Sequence, residues 1–247
     1  MKIKFFLATL GIAIFTLILV IGIAGCEEVQ RPSAELNYFP HEDGYRWEYQ
    51  CSSAYGISES SSFKRIRYFD GTATLPNSFI VQNFVCTEEA LSQSAMVFGT
   101  VKLFGLPISR LGSTYLFIDE TGVYSYGNPY NPTTEAGLIL PLPLSIGKVW
   151  KRGHAESILT CEAFAAEEVT VPAGTYNTVK IRLKIGTAES DYWYEWYADG
   201  VGMVKSSAEL LTQAVTLEEV NGELRIIPIT GESVVWYFTE ELLSKNF

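Results

Sequence analysis

The chain has 247 residues, with 18 lysines and arginines against 28 aspartates and glutamates, which gives a net charge of −10 at pH 7. Binding to nucleic acids or to anionic lipid headgroups needs a basic surface, so this composition argues against both. The length fits one large β domain or two small ones. A chain of this size can bury roughly 70% of its unfolded surface, so it needs no disulfide or metal to hold it together.

The N-terminus joins a short positive segment to a long uncharged one. Lys2 and Lys4 precede the run from Phe5 to Ala24, which contains no charged residue. A helix of about 20 apolar residues spans a bilayer, whereas the apolar part of a cleavable signal usually has about 7–15 residues. Length alone therefore favours a permanent membrane anchor.

The end of the run favours a cleaved signal instead. Ile23-Ala24-Gly25-Cys26 resembles the bacterial lipobox, which consists of an aliphatic residue, two small residues and an obligatory cysteine. The resemblance implies that the Cys26 thiol receives a diacylglyceryl group, that the chain is cut before Cys26, and that the new amine is often acylated too. Two or three acyl chains hold a protein firmly on a membrane. The alternative is a transmembrane anchor with a coincidental cysteine.

Cleavage predicts three segments: a signal peptide of residues 1–25, a polar tether of residues 26–37 and a single domain of residues 38–247. It removes two lysines and no acid, which takes the net charge from −10 to −12. In Gram-negative lipoproteins, an aspartate after the cysteine tends to retain the protein in the inner membrane. Glu27 stands there instead, which favours the periplasmic face of the outer membrane. We therefore expect a cell-envelope protein that the lipid on Cys26 attaches to a membrane.

Three cysteines follow Cys26, namely Cys51, Cys86 and Cys161. An exported protein can form disulfides, but three cysteines cannot all pair within one chain. Cys51 and Cys86 both end strand-like segments, so one interpretation is a disulfide between them. The other is three small buried thiols, because free cysteine often packs as a core residue. The spacings match no zinc pattern, and we expect no metal site.

Short strand patterns fill the first half of the mature chain. We predict strands over residues 44–49, 63–69, 79–86, 97–104, 114–118 and 123–126. Asp119-Glu120-Thr121-Gly122 suits the turn of a hairpin. Glu88 to Leu91 could open a helical turn, and the two prolines between Leu138 and Ser145 suit a sheet edge or an extended connector.

The second half shows the clearest alternation. From Thr178 to Ile185, apolar residues alternate with Lys180, Arg182 and Lys184, which predicts a strand with one face in the core and one in water. Asn221-Gly222 is a strong hairpin signal. Further strands are predicted over residues 167–171, 192–197, 201–205, 211–220, 223–227 and 234–238, with a helical turn at 240–246.

These patterns predict an all-β protein of antiparallel strands, in the form of a curved sheet, a half-barrel or a sandwich. At most one or two short helices are expected besides the signal. A shared Gly-x-x-Trp pattern, at Gly44–Trp47 and Gly147–Trp150, hints at two similar halves.

Two motifs are similar to those of bacterial periplasmic and lipoprotein β domains, mostly of unknown function. They are Val171-Pro172-Ala173-Gly174-Thr175-Tyr176 and the segment from Trp196 to Lys205. Some of these domains are likened to the half-barrel that lipoprotein carriers fold around acyl chains. The resemblance therefore implies a curved sheet and suggests an apolar ligand, although a shared fold does not establish a function.

No pattern of catalytic chemistry is present. The sequence lacks a nucleophile elbow, a metalloprotease motif and a phosphate-binding loop, and we expect neither catalysis nor a cofactor. Asp191, Glu195 and Asp199 lie among aromatic residues, as the carboxylates of sugar-cleaving enzymes do. Three acids in a segment of this length are ordinary, however.

The aromatic residues from Tyr192 to Tyr197 are the remaining signal. Alternate residues of a strand point to opposite faces, so Tyr192, Tyr194 and Trp196 share one face and the residues between them share the other. One interpretation is a strand that is buried on both sides. The other is a platform of these three rings that stacks sugars or lines an apolar cavity.

Three function classes follow. We favour a lipid-anchored envelope protein with a structural or protein-interaction role, because no site is evident; its partner would be an unknown envelope protein. The first alternative is a binder or carrier of an apolar, lipid-like ligand in a curved sheet, and the second is glycan binding through the aromatic platform. An envelope enzyme is the class that the sequence disfavours.

Overall fold

The computed structural model describes residues 36–55, 61–90, 112–153, 158–185, 191–220 and 223–247. All of them belong to the unit Leu36–Phe247. In this part of the chain there are twelve strands and no helix, which confirms the all-β prediction. The strands are β1 (Arg46–Tyr55), β2 (Ser61–Thr74), β3 (Ile80–Ala90), β4 (Gly112–Asp119), β5 (Gly122–Asn128), β6 (Asn131–Pro141), β7 (Val149–Arg152), β8 (Leu159–Val171), β9 (Gly174–Lys184), β10 (Tyr192–Ala198), β11 (Gly202–Val220) and β12 (Glu223–Asn246).

The strands form one antiparallel sheet in the order β6-β5-β4-β3-β2-β1-β12-β11-β10-β9-β8-β7. This order consists of two six-stranded meanders, β1–β6 and β7–β12, which pair along β1 and β12. The free edges β6 and β7 also approach each other, since the Gly153 amide donates to the Leu138 carbonyl at 3.3 Å. The sheet is therefore a nearly closed barrel, and the curved form predicted from the sequence is the one adopted.

The shared Gly-x-x-Trp pattern marks equivalent places in the two meanders. Gly44 and Gly147 both have positive φ, at 82° and 86°, just before the first strand of each meander. The Trp47 indole donates to the Val201 carbonyl at 2.7 Å, and the Trp150 indole donates to the Ile139 carbonyl at 3.1 Å. Each tryptophan thus binds the backbone of the other meander.

The inner face of the sheet carries the core. In β9, Val179, Ile181 and Leu183 are buried while the basic residues between them are only half-buried, as the alternation predicts. Farther along the barrel, Trp193 packs against Phe238, with ring centroids 4.9 Å apart. Burial of each such side chain contributes roughly 1.5–3 kcal/mol to stability, so the barrel interior is a packed core at these levels.

The segment that precedes β1 is held at one end of the barrel, which we call the entry end. The Asn37 amide donates to Asp199 Oδ1 at 2.6 Å, and the Asn37 carbonyl accepts from the Gly200 amide at 2.8 Å. Both partners lie in the turn between β10 and β11. Leu36 and Asn37 are exposed and Tyr38 is buried, so the chain packs against the barrel from Tyr38 onward.

The hairpin of β11 and β12 is longer than its neighbours. Pairing with β10 ends at Ala208, and pairing with β1 ends at Trp236. Beyond these residues, from Leu211↔Val235 to Val220↔Glu223, the strands of the described chain pair only with each other. This two-stranded segment, the β11–β12 ribbon, extends from the end of the barrel opposite the entry end.

Three local predictions were wrong. The helical turn at 240–246 is strand, because β12 continues to Asn246 and pairs with β1. Residues 88–90 of the expected turn from Glu88 to Leu91 belong to β3. The strands expected at 201–205 and 211–220 are one strand, β11. In each case cross-strand pairing overrides a weak local preference. Residues 97–104 and Asn221-Gly222 lie outside the described residues.

Candidate functional site

The three residues of the predicted platform lie together on the outer face of β10. The ring centroids of Tyr192 and Tyr194 are 6.1 Å apart, and those of Tyr194 and Trp196 are also 6.1 Å apart. The two tyrosines are half-buried and Trp196 is buried. The strand is thus largely covered on both sides, as one of the two interpretations of this segment expects.

Basic side chains from β9 lie against these rings. The register pairs Tyr192 with Lys184, Tyr194 with Arg182 and Trp196 with Lys180. The Lys180 ammonium is 4.7 Å from the Tyr194 centroid and 4.8 Å from the Trp196 centroid, and the Lys184 ammonium is 4.6 Å from the Tyr192 centroid. These are cation–π distances. We call these six side chains the outer ladder.

Acidic residues complete the outer ladder. Arg182 forms a 2.7 Å ion pair with Glu162, Lys180 lies 3.5 Å from Glu167, and the Trp196 indole donates to Glu167. Because the rings already contact the protein's own cations, the ladder is more a packed part of the barrel wall than an open stacking surface. Glycan binding at this place stays a prediction.

A buried ion pair lies on the inner face of the same strand. Arg152 Nη1 donates to Glu195 Oε2 at 2.7 Å, and the Tyr197 hydroxyl donates to the same oxygen at 3.0 Å. The Arg152 and Glu195 side chains are 2% and 7% exposed. Burial lowers the pKa of Arg152, but Glu195, Tyr197 and Cys161 together raise it by more and hold it above the ordinary value. Glu195, one of the acids near the aromatic cluster, therefore joins edge strand β7 to the core.

A second ion cluster lies between β2 and β12. Arg65 Nη1 and Arg67 Nη2 donate to Glu240 Oε2 at 2.9 and 3.0 Å. Arg65 also donates from Nε to Glu88 at 3.0 Å. Burial lowers the pKa of each arginine, but the charge of Glu240 and smaller contributions from neighbouring groups together raise it above the ordinary value, so both remain cationic. Removing one member of such a buried cluster leaves a buried charge without a partner.

A row of residues paired across neighbouring strands connects the two ion clusters. The register places Glu195 beside Ser206, Ser206 beside Glu240, and Glu240 beside Cys51. All four side chains are buried, so a polar belt crosses the interior of the barrel. Each carboxylate in it forms an ion pair with arginine.

A small pocket opens at the entry end, and we call it the entry pocket. Its volume is about 20 Å³, enough for about one water-sized group. Aromatic walls surround the cationic Arg67. The aromatic residues are Phe39, Trp47, Tyr49, Phe84 and Tyr197.

Cys51, Cys86 and Cys161 are buried, and none of them forms a disulfide. Cys51 lies on β1 and Cys86 on β3, with β2 between them. Two strand spacings amount to roughly 9.5 Å, beyond the ~7 Å limit for the Cα atoms of a disulfide. The disulfide interpretation is therefore replaced by its alternative. Burial raises the pKa of Cys161 to about 12, so this thiol is neutral and unreactive at physiological pH.

Sequence reasoning did not identify Arg65, Arg67, Arg152 or Glu240 as interior residues. A signal was present, because each lies two residues from an apolar aromatic residue of its own strand. Phe63 and Phe69 bracket the two β2 arginines, Trp150 precedes Arg152, and Phe238 precedes Glu240. A charge at the inward position of an alternating strand marks a buried ion.

Fold and interior together define a class: a nearly closed antiparallel barrel whose interior is crossed by a belt of paired charges. A family model described as DUF3108-like matches residues 158–209, from just before β8 into β11. This segment contains both motifs that the sequence shares with periplasmic β domains. No curated protein matches the chain.

Two solved structures resemble the whole barrel. One is a candidate exported protein with a YmcC-like fold from Bacteroides fragilis, at 14% identity and a TM-score of 0.40, covering 87% of this chain and 100% of that one. The other is a candidate lipoprotein from Parabacteroides distasonis, at 14% identity and a TM-score of 0.38, covering 86% of this chain and 99% of that one.

Two features are absent from the described residues. None of their segments is a helix long and apolar enough to cross a membrane. Within the same residues, no group of three or more histidine, cysteine, aspartate or glutamate side chains is arranged to hold a metal ion.

Proposed function

We propose that the protein is a bacterial lipoprotein of the cell envelope, attached by acyl groups on Cys26, and that its barrel acts by binding another envelope protein. The lipobox resemblance supports the attachment. The β11–β12 ribbon is the observation that carries the binding role. The proposal contains no catalytic step, because arginines hold the buried carboxylates of Glu195 and Glu240.

The ribbon has the backbone properties of a binding element. From Leu211↔Val235 outward, its strands pair with each other and with no other described strand, so both outer edges lack a neighbour among the described residues. Such edges pair readily with a strand of another chain. An isolated two-stranded hairpin is also marginally stable in water, so a partner would stabilise it.

The sequence of the ribbon strengthens this inference. The register aligns Val215 with Pro228 and Leu217 with Ile226. Apolar residues therefore occupy paired register positions in a segment that lies beyond the pairing with β10 and β1. A protein surface with an apolar patch suits this pattern better than water does.

Site-specific photo-crosslinking in the native bacterium tests the role. A photoreactive amino acid would replace Thr216 or Glu218 on the ribbon and, as a matched control, the exposed Glu168 on β8. We expect one discrete adduct protein from both ribbon positions, none from Glu168, and loss of the adduct in Cys26→Ala, which cannot receive the lipid. Absence of adducts, or the same adducts from all three positions, would contradict the proposal.

A shortened hairpin provides the second arm. Leu210 and Trp236 are directly opposite each other, so an Asn-Gly pair can join them as a two-residue turn. We expect this variant to keep the barrel fold and to lose the partner. A variant that still recovers the same partner would show that the ribbon is not the binding element.

A carrier of an apolar ligand is the alternative, and the entry pocket is the observation that favours it. The pocket has aromatic walls, but its volume of about 20 Å³ does not admit an acyl chain in this conformation. Native mass spectrometry of the protein from its own membranes separates the two functions. An adduct removed by organic solvent would favour the carrier, and an unliganded mass would favour the protein-binding role.

A further inference from the structure

We propose that the entry end of the barrel rests on the lipid bilayer that holds the acyl groups, through a ring of exposed apolar side chains. The inference rests on the acylation of Cys26 in the proposed function, but not on the ribbon or its partner. Four side chains carry it, and we call them the apolar rim: Leu36, Ile80, Ile146 and Phe247. All four are exposed.

The strand order places the apolar rim around the entry end. Because neighbouring strands alternate in direction, β6 and β12 end, and β3 begins, at the same end as the β10–β11 turn. Phe247 follows β12, Ile80 is the first residue of β3, and Ile146 lies in the connection from β6 to β7. Leu36 precedes Asn37, which binds the β10–β11 turn. These four positions are spaced around the nearly closed sheet, so they suit contact with a broad, flat surface.

Ring and backbone contacts hold the rim in place. Phe247 stacks on Tyr45, with ring centroids 4.6 Å apart. Beside Ile146, the Gly147 amide donates to the Ala163 carbonyl at 2.7 Å. The rim is thus fixed at the surface of the barrel. Apolar area that is fixed there leaves water only on contact with another apolar surface, and this transfer is favourable.

The length and attachment of the tether point to the bilayer as that surface. Cys26 is ten residues before Leu36. An extended chain covers at most about 3.6 Å per residue, so Leu36 lies within roughly 36 Å of the acylated cysteine. The hydrogen bonds of Asn37 to the β10–β11 turn join the tether to the barrel at the end that carries the rim. Apolar side chains are stabilised at the boundary between lipid headgroups and acyl chains.

The charges of the entry end favour a bilayer without net charge. The chain is acidic overall, and Asp43, Asp119 and Asp199 lie at this end, before β1, at the end of β4 and in the β10–β11 turn. Anionic lipids attract basic segments and therefore repel such a surface. The Lys245 ammonium lies 4.2 Å from the Phe247 ring centroid, and a lysine of this kind reaches lipid phosphates while its stem stays on apolar surface. Contact would thus depend on apolar burial in zwitterionic lipid.

Fluorescent labels on the acylated protein test the contact. The protein would be extracted from bacterial membranes and reconstituted into phosphatidylcholine vesicles that contain no other protein. The native thiols of the domain are buried, so a thiol-reactive fluorophore labels an introduced, exposed cysteine. For Ile80→Cys and Ile146→Cys, we expect loss of emission with nitroxide-labelled lipid and little loss with aqueous iodide. The control is Tyr130→Cys on the exposed β5–β6 turn at the opposite end, where iodide should quench and the lipid should not.

A charged substitution assigns the effect to the rim. Ile80→Glu places a carboxylate in the rim, and we expect it to reduce the lipid quenching of a label at Ile146→Cys. Tyr130→Glu is the matched control and should leave that quenching unchanged. Both substituted side chains are exposed, so neither variant should unfold the barrel. Vesicles with added phosphatidylglycerol should also give weaker lipid quenching at the rim, because anionic lipid repels acidic surfaces.

Flotation of the same vesicles separates this inference from the proposed function. Protein that does not float with the vesicles would contradict the lipid attachment, and the inference with it. Protein that floats, but whose rim labels respond to iodide alone, would overturn only the bilayer contact. Lipid quenching that is as strong at Tyr130 as at the rim, or that Ile80→Glu leaves unchanged, would overturn it too. Stronger quenching on anionic vesicles would show that charge, and not the apolar rim, holds this end on the surface.

Discussion

Replacement of Arg152 by methionine should destabilise the barrel strongly. The Arg152 side chain is 2% exposed and that of its partner Glu195 is 7% exposed, so neither charge is compensated by water. In Arg152→Met, Glu195 keeps only the Tyr197 hydroxyl, 3.0 Å away. Breaking a buried pair from one side costs about 3–5 kcal/mol. That is a large part of the ~5–15 kcal/mol that stabilises a typical domain.

The double variant Arg152→Met/Glu195→Met distinguishes the cost of an unpaired buried charge from the cost of lost side-chain packing. Replacing a whole buried pair by apolar residues of similar size is often neutral. The Tyr197 hydroxyl then loses its acceptor, at a cost of about 1–3 kcal/mol. We therefore expect the double variant to be more stable than Arg152→Met alone.

Urea unfolding followed by circular dichroism measures these free energies. Lys151→Met is the matched control, because Lys151 lies on the same strand and bonds only the Thr160 hydroxyl at the surface. It should change the free energy of unfolding by less than about 0.5 kcal/mol. A loss below about 1 kcal/mol in Arg152→Met, or additive losses in the double variant, would refute a structural role for the buried pair.

Three further predictions concern the thiols, the outer ladder and a tight turn. Burial raises the pKa of Cys161 to about 12, whereas an unfolded thiol ionises near pH 8.5. Between these two pH values the folded state keeps a proton that the unfolded state loses, so the free energy of unfolding should fall by about 1.4 kcal/mol per pH unit because of this thiol. Urea titrations from pH 9 to 11 should show a shallower fall of the free energy of unfolding with pH in Cys161→Ala. An unchanged pH dependence would contradict this. Lys180→Ala removes the cation over two rings and should cost about 1 kcal/mol in the same assay. Lys148→Ala removes only a 3.5 Å contact with the Pro143 carbonyl and should cost less than about 0.5 kcal/mol. Equal effects would argue against the ladder. Gly127 and Gly71 both have positive φ, but an added Cβ would lie 2.3 Å from the Asn131 carbonyl oxygen at Gly127 and would meet nothing at Gly71. Melting curves should therefore show a larger loss of stability for Gly127→Ala than for Gly71→Ala. Equal losses would contradict the steric argument.

The strand pattern of the fold could be predicted because it is local. The alternation around Lys180, Arg182 and Lys184 sets the two faces of β9, and Asp119 to Gly122 forms the β4–β5 turn. Closure of the sheet could not be predicted in the same way. It depends on β6 and β7 meeting and on β1 pairing with β12, which are contacts between residues far apart in the chain.

The site could be predicted only in part, because its contacts also depend on strands that pair across the sheet. The period of two brings Tyr192, Tyr194 and Trp196 together, but only the register shows that the basic residues of β9 cover their rings. In the same way, Arg67 and Glu240 are about 170 residues apart in sequence. Their burial is visible from strand parity, whereas their pairing follows from the closed sheet.

The N-terminus of the protein purified from its own membranes is the most direct test of the lipoprotein assignment. Mass spectrometry of the intact protein and of its N-terminal peptide would determine where the chain begins and what it carries. We expect a first residue of Cys26 with a diacylglyceryl group on its sulfur and no peptide from residues 1–25. A mature chain that retains residues 1–25 and an unmodified Cys26 thiol would contradict the assignment and indicate a transmembrane anchor.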